Sequence, residues 1–133
     1  MLVAPPEVEQ LAHRVIGAAI EVHKHLGPGF VERSYEEAMA IELALQGIRF
    51  RRQLEIDIHY KGRAVATSRL DFLIDDKLLV ELKAVDAIGP LHVKQTLSYL
   101  AASGLELGLI LNFNVPSLNE RGIRRVFRSI YPE

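Results

Sequence analysis

The sequence predicts a single α/β (α+β) domain over residues 1–133, with a mixed central sheet flanked by helices in the order α-α-β-β-β-α-β-β. Three features carry this expectation. Apolar residues recur every three or four positions in the first third of the chain and every second position in the middle third, and a helical stretch then separates the most apolar strand from a short buried one.

Leu11, Val15, Ala18, Ala19, Val22 and Leu26 predict an amphipathic helix over about residues 8–25, and Gly27-Pro28-Gly29 breaks it. A second helix is expected over 31–46, with Tyr35, Ala38, Met39, Glu42 and Leu45 in helical register and Gly47 as its C′ residue. So short a connection makes the two helices neighbours. The period then falls to two: Ile48 and Phe50, then Leu54, Ile56, Ile58 and Tyr60, alternate with polar residues as in a half-buried strand. Lys61-Gly62 and Asp75-Asp76 are expected turns, which divides the region into an antiparallel meander with strands over 64–74 and 77–85. The last of these is the most apolar and is placed at the centre of the sheet.

Gly89-Pro90 marks the next break, and residues 91–102 read as a helix with Leu91, Gln95, Leu97, Tyr99 and Leu100 as inward candidates, ended by Gly104. A buried strand over 105–111 follows, parallel to its neighbour because a helix makes the crossover, and 123–127 adds an edge strand.

An apolar fraction of 49% with 25% charged residues is ordinary for a folded protein. The absence of cysteine excludes disulfides, thiolate nucleophiles and zinc ribbons. The first six residues show no basic leader, and no run approaches the roughly 18 apolar residues of a membrane span, so a cytoplasmic address without membrane contact is the default expectation. Sixteen basic against seventeen acidic residues leave a net charge of −1, so attraction to nucleic acid would have to come from local patches. Two candidates are Arg49, Arg51 and Arg52, and Arg121, Arg124, Arg125 and Arg128; for either group alone, solvated surface is the simpler reading.

The anomaly lies in Leu78-Leu79-Val80-Glu81-Leu82-Lys83-Ala84-Val85, where two charges interrupt the strand expected to be most buried. Glu81 and Lys83 are two positions apart and project to one face. An ion pair or a solvated face would explain them if they stood alone. Asp71, in Leu70-Asp71-Phe72-Leu73-Ile74, repeats the anomaly on the preceding strand, and the Asp75-Asp76 turn can bring it beside Glu81. Two carboxylates held together call for a cation between them, and a hard divalent ion such as Mg²⁺ or Mn²⁺ is the usual solution, against the alternative of a backbone amide or Arg69. Phosphodiester hydrolysis needs this set: acids that hold a metal, a metal that acidifies water, and a cation, here Lys83, beside the reacting phosphate.

These residues resemble the GxxExxY proteins of the PD-(D/E)XK nuclease superfamily. Gly29-Phe30-Val31-Glu32-Arg33-Ser34-Tyr35 matches the name motif, Asp71 the hairpin aspartate and Glu81-Leu82-Lys83 the E-x-K, and the likeness runs from about His13 through Phe127. Arg69-Leu70 stands where the superfamily often has a proline before the first acid. The resemblance implies a restriction-endonuclease-like sheet and a metal-dependent nuclease acting on DNA or RNA. It also implies Glu32 as a further metal ligand or water-orienting group and the Leu82 carbonyl as a metal ligand beside Asp71 and Glu81. Gln95 would orient the catalytic Lys83, and Tyr35 and Tyr99 would contact substrate. Read without it, Glu32 is an acid favoured by a helix N-terminus, and the tyrosines are core aromatics with a wet hydroxyl. His23 and His25 lack the spacing of a helical metal pair and read as helix surface. The alternative function is a non-catalytic module that keeps the fold to bind nucleic acid or protein, and a domain this small invites a homo-oligomer to grip a duplex.

Overall fold

A computed structural model of the protein describes residues 4–128. Helix α1, Pro6–Leu26, starts on a proline whose missing N–H costs nothing in the first turn, with Glu7 and Glu9 beside the positive end of the helix dipole. Helix α2, Glu32–Leu45, closes as a Schellman turn: Gly47 takes a φ of 71°, its amide donates to the Ala44 carbonyl, and the Ile48 amide reaches back to Leu43. Ile48 and Leu43 are both buried, so this stop also fastens the helix to the core.

Strands β1 (Phe50–Tyr60), β2 (Arg63–Ile74) and β3 (Leu78–Lys83) form the meander, helix α3 (Pro90–Ser103) crosses over, and β4 (Leu107–Asn112) and β5 (Ile123–Phe127) complete the sheet. The spatial order is β1-β2-β3-β4-β5, so β3 is central as expected; it runs parallel to β4 and all other neighbours are antiparallel. Lys61 and Gly62 have positive φ, as a two-residue hairpin turn that matches strand twist requires, and Asp75 and Asp76 have positive φ in the three-residue connection between β2 and β3.

Alternation along β3 sends Leu78, Val80 and Leu82 into the core under α1 and α2, and Leu79 into the smaller core under α3. Glu81 and Lys83 therefore share the α3 side. Four positions depart from the expected register. Leu45 is 76% exposed and Leu43 is buried in its place; on α3, Leu91, Gln95 and Leu97 face outward, while Thr96, Tyr99 and Leu100 pack inward. The cause on α3 is close approach: the helix sits so tightly over Gly108 that a Cβ there would lie 2.9 Å from Thr96 Cγ2. A π-helical turn, Leu118–Gly122, precedes β5, where the sequence predicts no element. No helix among the described residues is long and apolar enough to cross a membrane.

Candidate active site

The β2–β3 ladder runs from Ile74↔Leu78 to Phe72↔Val80 and stops one residue short of pairing Asp71 with Glu81. On the other side of β2, Arg52 pairs with Phe72 and Leu54 with Leu70, so Gln53, held at a φ of 54°, and Asp71 are both skipped. The side-chain alternation breaks at the same place. Leu70 packs under α3, whereas Phe72, two residues on, packs under α1 and α2; in a regular strand both would share a face. The two strands splay here, and the backbone groups left without a ladder need other partners.

The carboxylates supply them. The Asp71 amide donates to Glu81 Oε2 at 2.8 Å, and the Leu82 amide donates to Asp71 Oδ2 at 2.7 Å. The side chains thus converge in the gap between the strands. One oxygen of each accepts from backbone, and the second oxygen of each is a further hard donor, with the Gln53 side chain also acting on Asp71.

Holding two acids so close in a buried place is electrostatically costly. Burial, and then the charge on Asp71, push the Glu81 carboxyl up to about 8, with the Asp71 amide and Lys83 offsetting only part. Asp71 is raised as well, chiefly by burial, against the lowering effects of the Leu82 amide and Lys83. Glu32 opens α2 on the solvent side, yet partial burial and then the charge on Asp71 also raise its carboxyl, and Lys83 again opposes. Lys83 is thus the cation whose field reaches all three acids, from a half-buried position at the end of β3. Glu32, Glu36, Gln53 and Asp71 line a cleft of about 480 Å³ together with Arg33 and Arg69. Arg69 pairs with Glu55 across the hairpin and not with Asp71. Among the described residues, no three His, Asp or Glu side chains come together as a ready-made metal cluster, so Glu32 stands apart from the Asp71–Glu81 pair.

Tyr35 does not contact solvent, which agrees with its reading as a core aromatic and not with the substrate contact that the resemblance implied. It is fully buried, its ring stacks on Phe113 at 4.5 Å between centroids, and its hydroxyl donates to the Gly27 carbonyl at 2.6 Å while accepting from the Phe30 amide at 3.2 Å. That hydroxyl closes the loop leading directly into Glu32. Tyr35→Phe keeps the stack but orphans both backbone groups, so a loss of about 1–3 kcal/mol is expected, read as a lower denaturant midpoint at unchanged slope.

Tyr99 is 9% exposed, and its hydroxyl is pushed up by burial first and then by the charges on Glu81 and Asp71. Its hydroxyl thus stands within the field of both carboxylates. Gln95, one turn earlier on the same helix, is exposed and makes no hydrogen bond to Lys83 among the described residues, contrary to the expected pairing. Leu82 buries its side chain and enters the site through its backbone alone. His23 is not helix surface: it is 9% exposed, and Nε2 lies 3.1 and 3.0 Å from the carbonyl oxygens of Phe113 and Val115. The signal was present, since His23 follows Ala19 by four on the apolar face. His25 is exposed and pairs with Glu21. Buried Asn112 escaped attention as a functional position; its amide group clamps both the N–H and the C=O of Val85 just past Lys83.

A mixed five-stranded sheet between helices, with acids from two adjoining strands and an E-x-K lysine, defines a nuclease-like architecture. The sequence model of the PD-(D/E)XK nuclease superfamily matches residues 9–126, and the chain belongs to that superfamily. Among solved structures, it is similar to an alkaline exonuclease, LHK-Exo, from Laribacter hongkongensis, at 16% identity and a TM-score of 0.51, over 97% of this chain and 73% of that one. At that identity the likeness concerns the fold. No curated protein matches the chain in sequence.

Proposed function

We infer that the chain acts as one nuclease-like domain, a metal-dependent phosphodiesterase on DNA or RNA, in the GxxExxY branch to which Gly29, Glu32 and Tyr35 point. The observation that carries this reading is the gap between β2 and β3, where Asp71 and Glu81 converge within the field of Lys83. Two like charges brought together in a buried place are stable only with protons or a cation, and their oxygens suit Mg²⁺ or Mn²⁺. Asp71, Glu81 and the Leu82 carbonyl would hold the ion, which when bound would lower the pKa of water and offset charge on the phosphate. Lys83 supplies positive charge to the phosphate oxygens as negative charge builds on them. Glu32, apart from the pair and with a raised affinity for protons, suits the role of orienting the attacking water and holding its proton. Tyr99, within the field of Glu81, supports the pair electrostatically, and exposed Gln95 is free to touch the substrate backbone.

Labelled DNA and RNA, single- and double-stranded, incubated with Mg²⁺ or Mn²⁺ test the reading. Cleavage that EDTA stops and Asp71→Ala abolishes is the expected result; no cleavage of any of these substrates, or cleavage that survives the substitution, refutes it. One observation favours a second reading, a non-catalytic module. Both acids already bond to backbone amides, so the fold has a use for them without turnover. Salt-dependent nucleic-acid binding that Mg²⁺ does not alter, with no hydrolysis, is its signature.

A further inference from the structure

The two arginine groups of the sequence fare differently in the fold. Arg49 pairs with Asp75, Arg51 with Asp76, and Arg52 with Glu36 and Glu37. In the second group Arg125 holds Glu9 and Arg128 reaches the Gly104 carbonyl. Arg121 and Arg124, both exposed, have no carboxylate within 4 Å among the described residues. They line a cleft of about 410 Å³ between the β3–α3 loop and the β4–β5 connection, with Asp86, Asn112 and Asn114 on its other walls. A second cleft, of about 330 Å³, continues past Arg124 to Lys94 on α3.

Strand register fixes where this cleft lies relative to the acids. Glu81 pairs with Ile110, and Ile110 pairs with Arg124, so the three form one row across β3, β4 and β5 and point to one face, that of α3. Two inter-strand steps put the Arg124 backbone about 10 Å from that of Glu81, close enough for the cleft and the acids to meet one nucleic-acid strand. The cleft is also rigid. Asn112 clamps Val85 and accepts from the Asn114 amide, which fixes the loops on both sides. The π-helical turn that carries Arg121 lies against β4 because Gly122 has no side chain; a Cβ there would be 2.5 Å from the Asn112 carbonyl oxygen. Two guanidinium forks on a fixed frame, opposed by one exposed aspartate, match the oxygens of a phosphodiester better than a single point charge would.

We propose that the Arg121–Arg124 cleft seats a phosphodiester linkage flanking the one that lies at Asp71 and Glu81, so that it sets the path of a nucleic-acid strand across the α3 face of the sheet. This rests on the nuclease reading for what happens at the acids, but the binding it describes can be measured without turnover. Fluorescence anisotropy of labelled single-stranded DNA, duplex DNA and single-stranded RNA, with Ca²⁺ replacing Mg²⁺ and across a salt series, provides the readout. For Arg121→Ala/Arg124→Ala, with its melting temperature checked against the wild type, binding weakens and the slope of log affinity against log salt falls by about 0.7 on single strands, or about 0.9 on duplex, as the loss of one phosphate contact requires. Arg121→Lys/Arg124→Lys retains most of the slope. The nucleic acid whose slope falls is the one seated there. An unchanged slope in the alanine variant overturns the cleft even where the wild type cleaves DNA or RNA. Reduced slope in a protein that cleaves nothing keeps the cleft and removes the hydrolytic reading, and a wild type that binds none of the three overturns it.

Discussion

Lys83→Met is expected to lower the rate of metal-dependent cleavage by about 10²–10³-fold while leaving the melting temperature close to that of the wild type. Methionine keeps the apolar stem of a side chain that is half-buried and makes no ion pair within 4 Å among the described residues, so packing changes little. The charge is what disappears, and it acts twice. It is the cation that lowers the carboxyls of Glu32, Asp71 and Glu81, so its loss drives each of them further toward the protonated form and weakens any cation site they build. It also removes positive charge from the place where phosphate oxygens gain negative charge, a loss of the size seen when one such donor is deleted. Single-turnover rates with excess protein separate the two contributions, since saturating Mn²⁺ restores the first and not the second. A Lys83→Met protein that cleaves at the wild-type rate rules the lysine out.

The second large effect concerns proton linkage. An unfolded chain releases the Glu81 proton near the ordinary 4.5, whereas the folded protein holds it up to about 8. Between these values the native state binds more protons than the unfolded state, so stability declines as pH rises, by at most about 1.4 kcal/mol per pH unit for this one group. Asp71 and Glu32 are raised too and contribute in the same direction. Metal-free wild type should therefore melt lower at pH 8 than at pH 5, and Glu81→Gln, which stays neutral and still offers an oxygen to the Asp71 amide, should lose most of that difference. Mn²⁺ should raise the wild-type melting temperature at pH 8, where the proton it must displace is already loose, and far less at pH 5. A wild-type melting temperature that is flat or rising from pH 5 to pH 8 in EDTA would contradict the buried-acid account.

The order of elements was readable because each has a local cause: an apolar stripe, a change of period, a glycine that must turn left-handed. Asp71, Glu81 and Lys83 stood out for the opposite reason, as charges where the pattern demanded apolar residues. What stayed hidden depends on partners distant in sequence. Gln53 takes a left-handed φ with no glycine or asparagine to announce it, and the broken alternation at Asp71 follows from that irregularity on the neighbouring strand. Tyr35 was placed at the substrate by the resemblance alone; the plain reading as a core aromatic agrees with its burial, and only its hydroxyl's bond to the Gly27 carbonyl had no local sign. On α3, leucines at 91 and 97 suggested the buried face, but Gly108 on β4 draws Thr96 inward and turns them out.

Because the acids between β2 and β3 also serve as rungs of the sheet, this protein cannot shed its reactive groups freely. A relative without the proposed hydrolysis would still need an acceptor for the Leu82 amide and another for the Asp71 amide, so asparagine and glutamine are the substitutions open to it, and alanine or leucine would leave donors stranded. Chemistry and architecture here draw on the same two carboxylates, which makes the mark of a lost activity an amide in place of an acid.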